Sequence, residues 1–185
     1  SRQGDLAMLQ SVGLMSGFSA EAVAAQQHQA QRISSSLIRT DLQHGRLHEA
    51  AQKLGRPYSI EGKVVRGKQL GRTLGYPTAN IRLQRKKPAL MGIYATWIHG
   101  VGQQPIAGVS SLGTRPTVNG REPLLEAHLF DFDDDLYRRR IRVEFVCKLR
   151  DEIKFDTLDA LVMQMDQDAA QARAVLALQP IGECA

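Results

Sequence analysis

The sequence predicts a mainly antiparallel β protein that closes into a sandwich or a small barrel, with helical segments at both ends. Three observations carry this reading. From Tyr58 onward, six short runs alternate apolar and polar residues, the period of strands with one buried face. Glycine, proline and charged turns separate those runs at close intervals, leaving no long helix of the kind that parallel strands need as a crossover. Near the C-terminus the spacing switches to three- and four-residue steps, which is helical.

The elements follow in order. Residues 1 to about 56 read as helical and polar. The alanine- and glutamine-rich stretch from Ala20 to Gln31 has little apolar periodicity and reads as a surface helix or a mobile connection. Ser34, Ser35 and Ser36 offer helix N-caps for a segment in which Leu37, Leu42, Leu47, Ala50, Ala51 and Leu54 form the apolar faces of two short helices broken at Gly45. Gly55 followed by Pro57 ends that region, because glycine suits the left-handed C-terminal position and proline cannot continue a helix. The strand runs are YSIEGKVVRG, NIRLQ, GIYATWIHG, PIAGVSSLG, LLEAHLFDF and RRRIRVEFVCKL. The final helix begins at Asp156 or Thr157 as cap. It presents Leu158, Leu161, Val162, Met165, Ala169, Ala172 and Leu176 as one stripe toward the barrel, with its methionines read as core filler.

At 185 residues, with 43% hydrophobic and 23% charged side chains, the chain can bury a core without disulfides or metals. Cys147 and Cys184 are far apart and lie in no CxxC or Cys/His cluster, which argues against a metal site and fits a reducing cytoplasm. No apolar run is long enough to span a membrane. The net charge of +5 and a pI near 9.5 favour anionic partners, either nucleic acid or phosphorylated small molecules.

The densest chemistry lies in GKVVRGKQLGRTLGYPTAN, residues 62–80. Gly62, Gly67, Gly71 and Gly75 suit either a wide turn-rich loop or a loop whose backbone N–H groups approach a polyphosphate, aided by Lys63, Arg66, Lys68 and Arg72. No GxxxxGK[ST] string and no helix-opening GxGxxG occurs. Thr78 and Asn80, two apart in an extended segment, share one face and offer hard oxygen ligands suited to Mg²⁺, or else bond to their own turn. Glu126 and His128 share one face of their strand. Glu126 has the chemistry of a base for phosphoryl transfer to an alcohol, although periodicity alone favours a solvated outer face, and His128 receives no role.

Residues 62–80 resemble the riboflavin kinase signature G-x-V-x-x-G-x-x-x-G-R-x-L-G-x-P-T-A-N. Further similar segments follow in order: GIYA at 92–95, GVSSLGTRPT at 108–117, LEAHLFDF at 125–132, DLYRRRIRVEF at 135–145 and LRDEIKFDTLDAL at 149–161. The resemblance implies a six-stranded antiparallel Greek-key β-barrel with a C-terminal α-helix at residues 57–180. It also implies transfer of the ATP γ-phosphate to the ribityl 5′-hydroxyl of riboflavin, giving FMN and ADP. By that resemblance Gly67, Gly71, Arg72, Gly75, Thr78 and Asn80 bind nucleotide, Thr78 and Asn80 hold Mg²⁺, Glu126 is the general base, and Arg150 helps hold flavin. Arg115 occupies a family-like position, and Ser110–Ser111 departs from the more usual asparagine-containing version.

RQGDLAMLQ (2–10), RISSSLIR (32–39) and LGRPY (54–58) resemble the end of the adenylyltransferase domain of bacterial bifunctional FAD synthetases. Residues 1–56 are thereby expected to be the short helical remnant of an α/β nucleotidyltransferase domain plus a linker. Ser34, Ser35 and Arg39 inherit the place of its ATP-phosphate motif, with Ser36 standing for threonine. No HxGH-type motif is present, so the chain is expected to begin inside that domain and not to adenylylate FMN. A nucleic-acid-binding barrel is the competing class, suggested by charge. Aromatics at 5%, not interleaved with the basic clusters Arg85–Lys87 and Arg138–Arg140, count against it. A flavin-binding barrel without kinase activity is the third reading.

Overall fold

A computed structural model describes residues 5–28, 31–67, 69–83, 87–117 and 120–178. Lys68, Arg85, Lys86, Cys184 and the last residues of the expected 57–180 segment lie outside the described residues. The chain divides into two compact units, residues 1–33 and 34–185. In the first, α1 (Leu6–Ser16) is capped by the Asp5 side chain, which accepts the Met8 N–H, and by Gly17 in the left-handed conformation. The alanine- and glutamine-rich stretch is not helical: residues 20–26 have no regular structure, and β1 (Gln27–His28) pairs antiparallel with β2 (Gln31–Arg32). Composition favoured a helix there, but without an apolar face the segment has nothing to bury, and propensity alone seldom holds a short helix.

The second unit opens with a helical hairpin, α2 (Ser35–Gln43) and α3 (Leu47–Leu54). Ser34 caps α2 by accepting the Leu37 N–H, Gly45 turns the chain at φ 72°, and Gly55 closes α3 at φ 68°. Leu42, Leu47 and Ala50 are buried in the same cluster as the barrel interior. The compact unit that begins at Ser34 therefore takes in the hairpin as well as the barrel, because the hairpin's apolar faces find their cover there.

The six expected strands are all present: β3 (Ser59–Val65), β4 (Ala79–Ile81), β5 (Gly92–His99), β6 (Ile106–Thr117), β7 (Gly120–Leu129) and β8 (Arg140–Arg150). They form a closed antiparallel barrel in the order β3-β4-β7-β6-β5-β8. β5, β6 and β7 run as a meander, and β8 returns to lie beside β5, which is Greek-key connectivity. Tyr94, Ile98, Leu112, Leu125, Ile141 and Val143 fill the interior. A single helical turn, α4 (Leu70–Thr73), sits in the glycine-rich segment between β3 and β4.

The last element, α5 (Leu158–Leu178), starts at Thr157, whose hydroxyl accepts the Ala160 N–H. It lies on the outer face of the barrel. Ala172 and Leu176 pack with Ala95 and Phe130, and Trp97, Ala107 and Val109 border that cluster. Of the expected stripe, Leu158 is 58% exposed, Leu161, Val162, Met165 and Ala169 are half-buried, and Ala172 and Leu176 are buried. Among the described residues, no helix is long and apolar enough to cross a membrane.

Asp41 ties the hairpin together. Arg46 donates from Nε and Nη2 to its Oδ1 at 3.0 and 2.9 Å, and Lys53 Nζ lies 2.9 Å from Oδ2. Burial pushes the Asp41 carboxyl up, but hydrogen bonds from Lys53 and Arg46, with their charges, outweigh it and hold the carboxyl below its ordinary value. A depressed carboxyl contributes stability above its unfolded pKa and loses it as pH falls through the folded one. Acid should therefore weaken the wild-type protein below about pH 4. Asp41→Ala should cost about 2–4 kcal/mol at neutral pH, because Lys53 is left buried without its partner, and should flatten that acid dependence. Urea unfolding at two pH values measures both effects.

Candidate active site

The alternation along β7 sends Leu125, Ala127 and Leu129 into the barrel, so Glu126 and His128 point outward. The outer face here is covered, not solvated. Segment 69–78 and α5 enclose a cavity of about 420 Å³ over it, into which Thr78, Asn80, Glu126 and His128 all reach. The register explains the grouping: Asn80 is directly opposite Glu126 across the β4–β7 ladder, and Ser111 is opposite Glu126 on the other side. Thr78, two residues before Asn80, donates its hydroxyl to Glu126 Oε1 at 3.5 Å.

Burial under this cover raises the Glu126 carboxyl above its ordinary value. The Thr78 hydrogen bond and the Arg115 charge pull it down, and Glu152 pushes it up. Arg115 is exposed, with Glu122 3.6 Å away, and lines the same cavity. Thr78 and Asn80 are neutral oxygen donors beside the Glu126 carboxylate. Among the described residues no group of three or more His, Cys, Asp or Glu is placed to hold a metal ion. Such a sparse donor set fits an Mg²⁺ ion that keeps several waters and brings phosphate oxygens with it.

The glycines acquire reasons within the fold. A Cβ on Gly67 would lie 2.5 Å from the Asn80 side chain, and one on Gly71 would lie 2.3 Å from the Tyr76 carbonyl oxygen. The Tyr76 backbone therefore demands glycine at 71 whether or not a phosphate is near, while a side chain at 67 would push the Asn80 amide aside. Gly75 takes φ 83° at the turn after α4. Arg72 is exposed and lines a second cavity of about 620 Å³ together with Pro77, Thr78, Leu129 and Tyr137. Arg66 stacks over the Tyr137 ring at 5.4 Å, and Lys63 is an exposed strand residue.

Arg150 at the end of β8 also borders the first cavity, but its donors are committed. Nε and Nη2 grip Asp168 on α5 at 2.6–3.1 Å, and Nη1 donates to the Asp151 carbonyl. Gln164 donates to the same Asp168 at 3.0 Å. The guanidinium faces the Phe155 ring at 5.9 Å, and Ile153, Phe155 and Leu161 give this wall an apolar surface. Met165, expected as core filler, lines the cavity, and Met163 is exposed. Tyr76 donates its hydroxyl to Asp166, and burial followed by that aspartate raises the phenol to about 12, so it keeps its proton at any working pH.

Ser34, Ser35 and Arg39 are not part of this assembly. Ser34 is committed as a helix cap, while Ser35 and Arg39 line a separate cavity of about 450 Å³ with Tyr58, Glu61 and Pro88. Sequence reasoning placed His128 beside Glu126 but gave it no role, and it passed over Tyr76, Asp166 and Asp168. Asp168 alone had left a signal, since it falls at helical spacing inside the apolar stripe, three after Met165 and four before Ala172.

A family described as riboflavin kinase matches residues 54–176. A bifunctional riboflavin kinase/FMN adenylyltransferase from Haemophilus influenzae is 44% identical over 173 residues, covering 94% of this chain and 56% of that protein. Its Escherichia coli K12 counterpart is 41% identical over 177 residues, covering 96% and 56%. A solved structure described as a macrolide-efflux protein from Streptococcus pneumoniae superposes with a TM-score of 0.73 at 31% identity, covering 92% of this chain and 55% of that one. The chain thus spans about half the length of the curated relatives it matches.

Asp168→Ala leaves the largely covered Arg150 guanidinium without its bidentate partner. It should lower stability by about 3 kcal/mol, read as a fall in thermal midpoint. Asp168→Asn, which keeps one acceptor, should cost less.

Proposed function

Because the chain belongs to the riboflavin kinase family, we propose that it transfers the γ-phosphate of ATP to the 5′-hydroxyl of riboflavin, with Glu126 as general base. The observation that carries this is the meeting of two cavities at Thr78, beside the half-buried Glu126 carboxylate. The 420 Å³ cavity, with Ile153, Phe155, Leu161 and Met165 in its walls, suits a flat apolar ring system carrying a polar tail. The 620 Å³ cavity, lined by Arg72, Pro77 and Thr78 on one side and by Asp133, Asp134 and Asp135 on another, is left for the nucleotide, whose charge Mg²⁺ would offset beside those carboxylates.

In this arrangement the riboflavin hydroxyl lies between Glu126 and the γ-phosphorus. Its proton passes to the Glu126 carboxylate as the new O–P bond forms and the bond to the β-phosphate oxygen breaks, releasing ADP. Thr78 and Asn80 would hold Mg²⁺, which would supply charge neutralisation at the phosphates. The chain's own part is mainly positioning: it aligns hydroxyl and phosphate and keeps water out of a covered pocket. The raised Glu126 pKa makes it a better proton acceptor than a solvated carboxylate.

Residues 1–56 we read as descending from an adenylyltransferase domain, with Ser34, Ser35 and Arg39 as vestiges of its phosphate motif. The adenylyltransferase activity named for the relatives belongs to those proteins; the 185-residue chain by itself should yield FMN and no FAD. A reducing cytoplasm, where ATP and riboflavin meet, fits the free Cys147 thiol.

Incubation with riboflavin and Mg-ATP, with FMN and FAD separated chromatographically, tests the reading, and absence of FMN from the wild-type chain would sink it. Glu126→Gln should lower kcat by about 10²–10⁴-fold. The same variant should be no less stable than wild type at neutral pH, since it removes a half-buried charge that the fold disfavours. The wild-type rate should fall on the acid side through a pKa above the ordinary glutamate value of 4.5, and that limb should vanish in Glu126→Gln.

A further inference from the structure

Residues 76–80 run extended between the two cavities. Tyr76, Thr78 and Asn80 line the 420 Å³ cavity, while Pro77 and Ala79 line the 620 Å³ one, which Thr78 also borders. This is the period-two alternation of an extended chain, here dividing two compartments where a sheet would divide core from solvent. The β4–β7 ladder secures only part of it, ending at the pair Ala79 and Ala127. Tyr76, Pro77 and Thr78 lie beyond the ladder and need other anchors.

The Tyr76 N–H donates to the Gly71 carbonyl at 2.8 Å, and two side-chain anchors are present besides. His128 Nδ1 lies 2.9 Å from the Pro77 carbonyl oxygen, so the ring N–H donates to it. The same ring meets Tyr76 edge-on at 5.0 Å and Phe130 at 5.7 Å, which fixes its plane. On the opposite side the Tyr76 hydroxyl donates to Asp166, an exposed residue of α5. His128 thus grips the peptide next to Thr78, and Asp166 grips the residue before that peptide.

We infer that residues 76–80 are a partition between two substrate compartments, and that His128 and Asp166 are positioning residues holding it so that the Thr78 hydroxyl stays within reach of Glu126. Their effect passes through the Pro77 carbonyl and the Tyr76 ring. The inference rests on the kinase reading above, because it assigns one substrate to each side of the partition. Losing either anchor lets Thr78 drift from Glu126, and displacement of about 1 Å at a reacting centre costs up to 10²-fold in rate.

The test compares His128→Phe with His128→Asn, and Asp166→Ala with Asp166→Asn. Phenylalanine keeps a ring against Tyr76 without a donor, whereas asparagine restores an N–H near the Nδ1 position. On α5, Asp166→Asn keeps an acceptor for the Tyr76 hydroxyl that Asp166→Ala lacks. His128→Phe and Asp166→Ala should each lower kcat about tenfold or more. Riboflavin affinity, followed by quenching of its fluorescence, should change by less than about threefold, and both asparagine variants should recover most of the rate. Asp166 is exposed, so its variants report even if a His128 variant fails to fold. Full kcat in His128→Phe or Asp166→Ala, or asparagine variants as slow as the severe ones, overturns the inference while leaving the kinase reading intact. A wild-type chain that makes no FMN overturns both.

Discussion

The register of β4 against β7 is the constraint on which the site depends. Three pairs make the ladder, Ala79 with Ala127, Asn80 with Glu126 and Ile81 with Leu125. Side chains alternate with a period of two, so a slip of one residue would turn Glu126 into the barrel and Leu125 out of it. That slip is opposed by the burial of Ala79, Ile81, Leu125 and Ala127, and by closure of the barrel, which seats β4 between β3 and β7. A three-residue strand is thereby fixed as firmly as its long neighbours. Glu126, Thr78 and Asn80 meet because the core residues between them have nowhere else to go.

A base on the outside of a barrel would ordinarily be solvated. Here α5 changes its surroundings, and the helix divides its labour along its length. Ala172 and Leu176 pack against the barrel wall, while Leu161 and Met165, nearer the start of the helix, stand over the cavity. Asp168 sits where one role gives way to the other, and Arg150 ties it to the end of β8. The raised Glu126 pKa follows from this arrangement, because desolvation comes from a covering helix and loop, not from depth in the core. A carboxylate on the outer face can thus be made basic without placing a charge in the hydrophobic interior.

The glycine-rich segment shows how one feature can answer two demands. Read as composition, its glycines allow either a turn-rich loop or a backbone close to phosphate. The fold requires Gly71 regardless, since the Tyr76 carbonyl occupies the space a Cβ would take, and Gly67 leaves room for the Asn80 side chain in its present place. Their presence therefore bears less directly on nucleotide binding than the signature suggests. The helical hairpin gives a parallel case. Its ends were legible from Ser34, Gly45 and Gly55, but its membership of the barrel unit was not, because an apolar face in a sequence does not name the surface that will cover it.

Short-range periodicity and turn chemistry were enough to mark the six strands, the two-helix hairpin, the Thr157 cap of the last helix and the shared faces of Thr78 with Asn80 and of Glu126 with His128. The motif residues also carried the family resemblance. The alanine- and glutamine-rich stretch misled because composition without an apolar face says little about structure. Folding in three dimensions was needed to cover the outer face bearing Glu126, to turn Met165 toward a cavity and to bind Arg150 to Asp168. It also brought His128 to Pro77 and Tyr76 to Asp166, pairs 51 and 90 residues apart. Periodicity tells which way a side chain points along its own element, whereas what it meets there depends on closing the barrel and docking the helix upon it.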